Sequence, residues 1–338
     1  MKKILVTGDQ GYIGAVLVPM LVHKKYSVVG CDTDYFVSNK KKFSYPRLKK
    51  DIRKLEKRDL EGVDSVVHLA ALSNDPMAEL NSALTREINF SASVRLAELS
   101  KQTGVKRFIF SSSCSVYGNK FKASVTEEDS VNPLTSYAKT KVQTEKALLE
   151  LSNENFSPII LRNPTVHGYS PNIRLDLVVN NLVACAIANR KIILLSDGRA
   201  WRPVIHVKDL SRVFMLMIES QRLLVHNQVF LVGENSQNYL IINIAQEIHG
   251  QLPECKIVFG DKKSRDRRSY KMNFYKFNTK FPKFRFKMNL QKSISELIKF
   301  FKETKLTAAE LKSADYFRMK KLKYLLDSRK INKKLYWI

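Results

Sequence analysis

The sequence predicts an α/β fold, in which a doubly wound parallel sheet is accompanied by a smaller C-terminal lobe. Residues 3–6 form a short apolar run, which precedes a glycine-rich turn and then a helix-like apolar run at 15–22. Strand-like and helix-like segments alternate over the first 160 residues, a pattern typical of a parallel sheet with helices on both faces. From about residue 165 the segments become shorter and more interrupted, which indicates the second lobe.

The elements follow from hydrophobic patterning. Strands are expected at 3–7, 27–31, 47–50, 64–69, 106–111 and 157–162, and again at 192–195 and 229–232. Helices are expected at 80–103, 135–153, 175–188 and 208–219. The expected division is a first domain over 1–165, to which later elements return, a second lobe over 166–302 and an extension over 303–338.

The extension is expected to form a basic amphipathic helix. Thr307 and Glu310 have the spacing of a capping box. Apolar residues then recur at loosely helical intervals at Leu311, Phe317, Leu322 and Leu325. We expect this helix to dock on its own chain or on a partner subunit. Its removal is expected to change solubility or assembly more than any chemistry.

The net charge of +26 is concentrated near the C-terminus, because residues 251–338 hold 25 Lys/Arg and 8 Asp/Glu, a net of +17. Such a balance can attract nucleic acid, anionic lipid or anionic metabolites. A lysine-rich solvated surface is the favoured interpretation. Contact of the basic tail with nucleic acid or a membrane is a less favoured alternative, since the region lacks the interleaved aromatic residues of an RNA-binding sheet.

Cysteine usage and apolar run lengths indicate the compartment. The four cysteines are scattered at 31, 114, 185 and 255, without the paired spacing of a metal site. No run approaches the ~20 apolar residues of a membrane-spanning helix. We therefore expect a reduced, cytoplasmic protein without a metal.

Glycines at 8, 11 and 14 follow the first strand and open the first helix. Glycine is needed where the chain turns sharply and where backbone approaches a pyrophosphate, which the helix N-terminus then binds. Asp32 ends the second strand, where a carboxylate can hold a ribose 2′-hydroxyl. The sequence thus predicts a dinucleotide site that favours NAD over NADP, because a 2′-phosphate would meet this carboxylate. The lysines at 40–42 are the alternative, as receptors of that phosphate.

Two further segments predict an enzyme. Residues 108–118 form an apolar strand that ends in hydroxyl groups, including Ser113. Tyr137 and Lys141 are four residues apart and share a helix face. An ammonium group and a cationic nicotinamide are expected to lower the pKa of Tyr137 by ~3 units from about 10, which base chemistry near neutral pH requires.

On these residues the chain resembles the extended short-chain dehydrogenase/reductase family, in its branch of NAD-dependent nucleotide-sugar epimerases and dehydratases, over residues 1 to about 300. The resemblance implies that Ser113, Tyr137 and Lys141 are catalytic. It implies an NAD site that includes Tyr137 and Lys141 and is formed further by Gly8, Gly11, Tyr12, Ile13, Gly14, Asp32, Asp51, Ile52, Leu69, Ala70, Ala71, Asn89 and Ser111. The substrate residues it implies are Ser113, Asn163 and Arg202, of which Arg202 would bind the nucleotide diphosphate. The weaker candidates for binding that diphosphate are Arg174, Arg265, Arg267 and Arg268, each of which is otherwise a surface charge. It also implies a homodimer formed through helices 80–103 and 135–153.

The activity implied is epimerisation at C4 of a nucleotide sugar through a transient 4-keto sugar. Dehydratases of this kind carry an Asp-Glu pair directly after the catalytic hydroxyl residue, where this chain has Cys114 and Ser115. Elimination needs an acid and a base, so dehydration is disfavoured, and Cys114 is expected to be a packed small residue. A nucleotide-sugar reductase or dehydrogenase of the same fold remains the alternative, and a nucleic-acid-associated member of the fold is a distant one.

Overall fold

The computed structural model describes residues 1–37, 43–73, 75–120, 124–260 and 268–338. Its strands are β1 (Lys3–Thr7), β2 (Ser27–Asp32), β3 (Arg47–Lys49), β4 (Ser65–His68), β5 (Arg107–Ser113), β6 (Ser157–Asn163), β7 (Thr165–His167), β8 (Lys191–Leu194), β9 (Trp201–His206), β10 (Gln228–Leu231), β11 (Asn238–Leu240) and β12 (Lys256–Phe259). Its helices are α1 (Gly14–His23), α2 (Asp75–Leu80), α3 (Ser82–Arg86), α4 (Ala92–Gln102), α5 (Ser136–Glu150), α6 (Val178–Asn189), α7 (Val207–Glu219), α8 (Arg222–Val225), α9 (Ile241–Gln251), α10 (Tyr275–Lys280), α11 (Leu290–Glu303) and α12 (Arg318–Asp327).

Seven strands form one parallel sheet in the order β10-β6-β5-β4-β1-β2-β3. The strand order reverses between β1 and β4, because β2 and β3 extend to one side of β1 while β4, β5 and β6 extend to the other. Open α/β sheets bind ligands outside the carboxyl ends of the strands at such a reversal. The expected doubly wound parallel sheet is therefore confirmed, and its topology predicts where the site lies.

The two faces of this sheet are covered by separate apolar layers. One layer joins α1 and α7 to the sheet through side chains such as Leu17 and Phe214. The other joins α4 and α5 to it through side chains such as Leu96 and Leu148. The β10 strand, far along the chain, pairs with β6, so a later element does return to the large sheet.

Beyond β6 the chain also builds two small sheets, in the orders β11-β9-β7 and β12-β8. They pack with α6, α9 and α11 around a third apolar cluster that includes Leu182, Val204, Ile244 and Leu297. His206 ends β9 and caps α7, since its ring nitrogen accepts a hydrogen bond from the backbone N–H of Lys208 at 3.1 Å.

The expected strands all form, with ends within two residues of those predicted. The helix expected over 80–103 forms over 82–102, where α3, one π-helical segment (Glu87–Ser91) and α4 follow one another without a break. Asn81 separates it from the short helix α2, which the sequence did not predict. Asn81 is extended, and its side chain accepts a hydrogen bond from the backbone N–H of Leu84. A side chain that caps a new helix in this way ends the one before it.

The continuous helix expected after Thr307 is wrong. Thr307 and Glu310 do form the reciprocal side-chain-to-backbone bonds of a capping box, but only two short 3₁₀ turns follow before α12 begins at Arg318. The extension docks on its own chain. Its apolar residues Leu322, Leu325, Ile331 and Leu335 join the cluster that covers one face of the large sheet.

In the part of the chain that the structure describes, no helix is both long enough and apolar enough to cross a membrane.

We predict that Leu322→Ala lowers the free energy of unfolding by about 2–5 kcal/mol, because Leu322 is only 1% exposed and its loss leaves a cavity between the extension and the sheet layer. Denaturant unfolding followed by circular dichroism measures this. Leu223→Ala is the matched control, since Leu223 is 86% exposed, and its effect should stay within about 0.5 kcal/mol. Equal effects of the two substitutions would show that the extension contributes no core packing.

Candidate active site

A cavity of about 440 Å³ lies at the carboxyl ends of the strands, at the reversal of strand order. Every residue predicted above for catalysis or for binding NAD or substrate lines it where the structure describes that residue, with one exception, Asn89. The lysines at 40–42 and the arginines at 265 and 267 lie outside the described residues. The cavity therefore gathers residues from the whole length of the chain at one place.

The glycine turn between β1 and α1 forms one wall. Gly8 has a φ of +74°, and a Cβ placed there would lie 2.8 Å from the backbone nitrogen of Ala70 at the end of β4. A Cβ on Gly14 would collide with the carbonyl oxygen of Gly8. The backbone of this turn is thus open toward the cavity and followed by a helix N-terminus, which fits a dinucleotide pyrophosphate.

Asp32 lies at the end of β2 on the next side of the cavity. Its carboxylate accepts backbone hydrogen bonds from Asp34 at 2.9 Å and from Gln10 at 3.1 Å. Burial, with a contribution from the nearby Asp9 charge, raises the pKa of Asp32 to about 6. The carboxylate therefore faces the cavity as a hydrogen-bond acceptor that is mostly ionised at neutral pH.

Beside Asp32 lies a buried ion pair of Asp9 with Arg47, which sequence reasoning missed. Asp9, inside the glycine turn, accepts hydrogen bonds from the Tyr45 hydroxyl and from Arg47 Nε, both at 2.7 Å. A Cβ on Gly30 would collide with the carboxylate of Asp9. The absence of a side chain at Gly30 thus leaves room for this buried ion pair, and only the pairing of β2 beside β1 reveals it.

The far end of the cavity is formed by Asp51, Ile52 and the loop after β2. Asp51 caps a short 3₁₀ turn and pairs with Arg53 at 2.8 Å, while Ile52 is buried against the cavity. Tyr35 and Phe36 also line this end, and sequence reasoning missed both.

Asn89 is a correction to the predicted cofactor residues, because it does not line the cavity. Its side-chain amide exchanges two hydrogen bonds with the backbone of Leu72, at 2.8 and 3.1 Å. Leu72 follows Leu69, Ala70 and Ala71, which do line the cavity. Asn89 therefore positions the segment after β4 rather than touching a ligand there.

The catalytic candidates converge from two elements. Ser111 and Ser113 lie at the end of β5, and Tyr137 and Lys141 lie on α5. Lys141 Nζ donates to the carbonyl oxygen of Ser111 at 2.8 Å and lies 5.5 Å from the centroid of the Tyr137 ring. Helix α5 is held to the sheet by a buried ion pair, in which Arg162 of β6 contacts Glu145 at 2.7 Å.

The pKa values of Tyr137 and Lys141 differ from the expectation. Burial, with a contribution from the negative charge of Asp75, raises the pKa of Tyr137 above its ordinary value. Arg174, Arg268 and a hydrogen bond with Ser113 have smaller opposing effects. Burial lowers the pKa of Lys141 to about 7, although Glu145 raises it. The side chains of this protein by themselves therefore keep Tyr137 protonated at neutral pH, and the expected low pKa requires a further positive charge.

Polar side chains from the end of β6 and from the second lobe complete the cavity. Asn163 Nδ2 donates to the Ser111 hydroxyl at 2.9 Å, while its Oδ1 is buried and accepts no hydrogen bond from the described residues. Arg174 forms an ion pair with Asp176 at 2.9 Å. Arg202 donates to the Trp201 carbonyl oxygen at 2.9 Å and also to the carbonyl of Arg268.

Arg268 extends the same polar wall. It forms an ion pair with Asp75 at 2.9 Å, and both residues line the cavity. Sequence reasoning missed Asp75, because it lies on α2, a short helix that the sequence did not predict.

The two residues after Ser113 lie in different surroundings, and Cys114 is a packed small residue as the sequence indicated. Cys114 is buried away from the cavity, and its thiol lies 3.4 Å from the carbonyl oxygen of Arg162. Burial raises the pKa of that thiol, which makes it unreactive. Ser115 lines the cavity instead. Neither position supplies a carboxylate.

Comparison with known proteins yields a consistent set of matches. The model of the NAD dependent epimerase/dehydratase family matches residues 4–233. The protein named "Uncharacterized UDP-glucose epimerase YtcB" of Bacillus subtilis (strain 168) is 29% identical over 280 residues, which are 77% of this chain and 85% of that protein. MoeE5 in complex with UDP-glucose and NAD superposes with a TM-score of 0.76 at 26% identity, over 89% of this chain and 99% of that one. The NDP-hexosamine 5,6-dehydratase TunA reaches a TM-score of 0.80 at 19% identity, over 90% and 98% of the two chains, which shows a shared fold.

We predict that the affinity for NAD falls as the pH falls through about 6. In the free protein Asp32 takes up a proton near that pH. The protonated group is no longer the negatively charged acceptor for a hydrogen bond from a ribose hydroxyl. One proton must then be released on binding, so the dissociation constant should rise by up to about tenfold per pH unit below 6. Calorimetric titration with NAD between pH 5 and pH 8 (~25 °C) measures it. Asp32→Asn should bind more weakly and show no such step; a step of equal size in that variant would assign it to another group.

Proposed function

The chain belongs to the NAD-dependent epimerase/dehydratase family, and from that premise we propose that it is a nucleotide-sugar epimerase that acts at the sugar C4 through a transient 4-keto sugar. The observation that carries the proposal is the set of Ser113, Tyr137 and Lys141 in one cavity, beside positions 114 and 115 that provide no carboxylate for elimination. The name of the relative YtcB and the UDP-glucose bound to MoeE5 support a UDP-hexose as substrate.

In the proposed mechanism Tyr137 moves the proton. Its phenolic oxygen takes the proton of the sugar C4 hydroxyl and later returns it, so that the residue is a base in one half-reaction and an acid in the other. Ser113, which forms a hydrogen bond with Tyr137, orients the same sugar oxygen. When bound, NAD supplies the reversible acceptance and return of hydride.

The positive charge near Tyr137 decides when it acts as a base. Burial disfavours the charged form of both groups, because it raises the pKa of Tyr137 and lowers that of Lys141 to about 7. The positive charge of an oxidised nicotinamide beside Tyr137 would lower the pKa of its phenol strongly, because the dielectric constant in this buried site is low. Proton removal is thereby coupled to the oxidised state of the cofactor.

The second lobe is proposed to hold the sugar nucleotide. Arg202 and Arg268 line the cavity, and a guanidinium pairs with a diphosphate through two parallel hydrogen bonds. Arg174 contributes further positive charge. The unsatisfied Oδ1 of Asn163 is suited to accept a hydrogen bond from a sugar hydroxyl. Residues 1–165 then mainly serve NAD but also contribute Asn163 and the catalytic residues, and residues 166–302 mainly serve the substrate.

We also propose a cytoplasmic homodimer. The four free, buried cysteines support a reducing compartment. The resemblance described above supports pairing through the faces of α4 and α5, and light scattering of the purified protein tests it.

The epimerase proposal is tested by incubating the purified protein with UDP-glucose or UDP-galactose, with NAD far below the sugar concentration and no added reductant. We expect each sugar to be converted to the other with no accumulation of NADH, because hydride taken from C4 is returned to C4. Chromatography of the products and absorbance of NADH follow the reaction. Stoichiometric consumption of NADH on a keto-sugar, without any epimer, would instead establish the reductase alternative.

We predict that Tyr137→Phe lowers kcat by about 10²–10⁴-fold, the usual contribution of a positioned acid–base group, while NAD binding persists. The reason is that only the phenolic oxygen is removed. Steady-state kinetics and calorimetry measure the two effects. Tyr275→Phe is the matched control, since Tyr275 is 70% exposed, and it should behave as the unchanged protein. Near-normal turnover of Tyr137→Phe would contradict the assigned role.

A further inference from the structure

The C-terminal extension is attached to the loop that follows β2. The indole Nε1 of Trp337 donates to the carbonyl oxygen of Thr33 at 2.6 Å, and the Tyr35 hydroxyl donates to the carbonyl oxygen of Leu335. Thr33 and Tyr35 directly follow Asp32, and both line the cavity. Leu335 and Trp337 therefore hold the loop that directly follows Asp32, the carboxylate predicted to bind NAD.

The same extension places a guanidinium group in the cavity wall. Arg318, the first residue of α12, is 3% exposed and lines the cavity. Its guanidinium carbon lies 4.3 Å from the centroid of the Phe36 ring, and its Nη2 donates to the carbonyl oxygen of Asn172 at 3.0 Å. The extension, whose removal was expected to affect solubility or assembly more than chemistry, thus contributes a residue to the wall of the cavity.

The position of Arg318 is close to the glycine turn. Asn172, which accepts its hydrogen bond, itself donates through Nδ2 to the carbonyl oxygen of Gln10 at 2.5 Å. Gln10 lies between Gly8 and Gly11 in that turn. Arg318 is thus linked through one residue to the backbone that surrounds a pyrophosphate in folds of this kind.

Arg318 has no counter-ion among the described residues of the protein. Within the ranges that the structure describes, no carboxylate lies within the 4.0 Å of an ion pair with it, whereas the neighbouring Arg174 is paired with Asp176. Burial and the positive charge of Arg174 lower the pKa of Arg318 to about 9, although Asp176 and Asp32 raise it. The group remains a cation at neutral pH, and burying a cation without a counter-ion is costly. An anion inside the cavity would remove that cost.

We propose that Arg318 binds the diphosphate of NAD, so that the C-terminal extension is a component of the cofactor site. This inference rests on the use of NAD by the protein, as set out above. A guanidinium suits this role because it pairs with phosphate oxygens through two parallel hydrogen bonds. The contacts of Trp337 and Leu335 then give the extension a second function, since they hold Arg318 and the loop after Asp32 in register around the same ligand.

A consequence is that NAD binding and docking of the extension stabilise each other. A ligand that binds the docked form more tightly than the undocked form can shift the equilibrium toward docking by at most the difference between the two binding free energies. NAD should therefore protect residues 318–338 from proteolysis, and loss of the Arg318 charge should weaken that protection.

The test uses Arg318→Met in the full chain, which fills the buried place but removes the charge. Calorimetric titrations with NAD, ADP and adenosine are compared with those of the unchanged protein. We expect the dissociation constants of NAD and ADP to rise about 10–100-fold, the effect of one lost charge-assisted pair. The constant for adenosine, which has no phosphate, should not change. The rise in melting temperature on adding NAD should shrink accordingly.

Two further variants keep the result interpretable. Lys323→Met removes one charge from an exposed position of the same helix and should leave all three constants unchanged. Arg318→Lys retains the charge without the paired hydrogen bonds, so its affinity for NAD should be intermediate, and it serves if Arg318→Met does not fold.

The outcomes separate this inference from the proposed function. Failure of the unchanged protein to bind NAD would overturn the use of NAD itself. Undiminished NAD affinity in Arg318→Met, or equal losses for NAD and adenosine, would overturn only the role of Arg318 at the diphosphate. An effect on NADP without one on NAD would place the guanidinium at the 2′-phosphate position and would likewise overturn it.

Discussion

The close approach of backbone to backbone at the end of β1 is the constraint on which the cavity depends. A side chain at Gly8 would meet the backbone of Ala70, and one at Gly14 would meet the carbonyl of Gly8. Because backbone atoms of two adjacent strands and a helix start share this space, neither contact can be relieved by a rotamer change. The turn therefore holds α1, β4 and the Asp32 carboxylate at fixed distances around one ligand.

Buried positive charge near this turn makes the cavity favourable for anionic ligands. Arg162 is balanced by Glu145 within hydrogen-bond distance, so it serves to hold α5 on the sheet. Lys141 and Arg318 have no such ion pair among the described residues, and burial lowers the pKa of both. Buried cations without partners are costly, and a ligand with a diphosphate offsets that cost. The unliganded protein is thus electrostatically prepared for an anionic dinucleotide and an anionic sugar nucleotide.

The C-terminal extension shows how a basic, loosely amphipathic sequence becomes part of a site. Its leucines join the apolar layer on one face of the sheet, while Trp337 contacts the backbone of Thr33 across 304 residues of sequence. The surplus of lysine on this segment is compatible with docking because the long side chains keep their charged ends in solvent. Arg318 is the exception, since its position at the start of α12 directs it inward.

The sequence by itself determined the doubly wound sheet, the glycine turn and the pairing of Tyr137 with Lys141, because these rest on short-range patterns: strand–turn–helix succession and spacing by one helical turn. Only the tertiary structure decided that Asn89 supports Leu72 from outside the cavity, that Asp9 pairs with Arg47, and that Arg318 enters the site. Each of these depends on which distant segments meet, and local patterns carry no such information. The pKa of Tyr137 was likewise decided by the tertiary structure, since burial and the charge of Asp75, which spacing does not reveal, outweigh the opposing effects of Arg174 and Arg268.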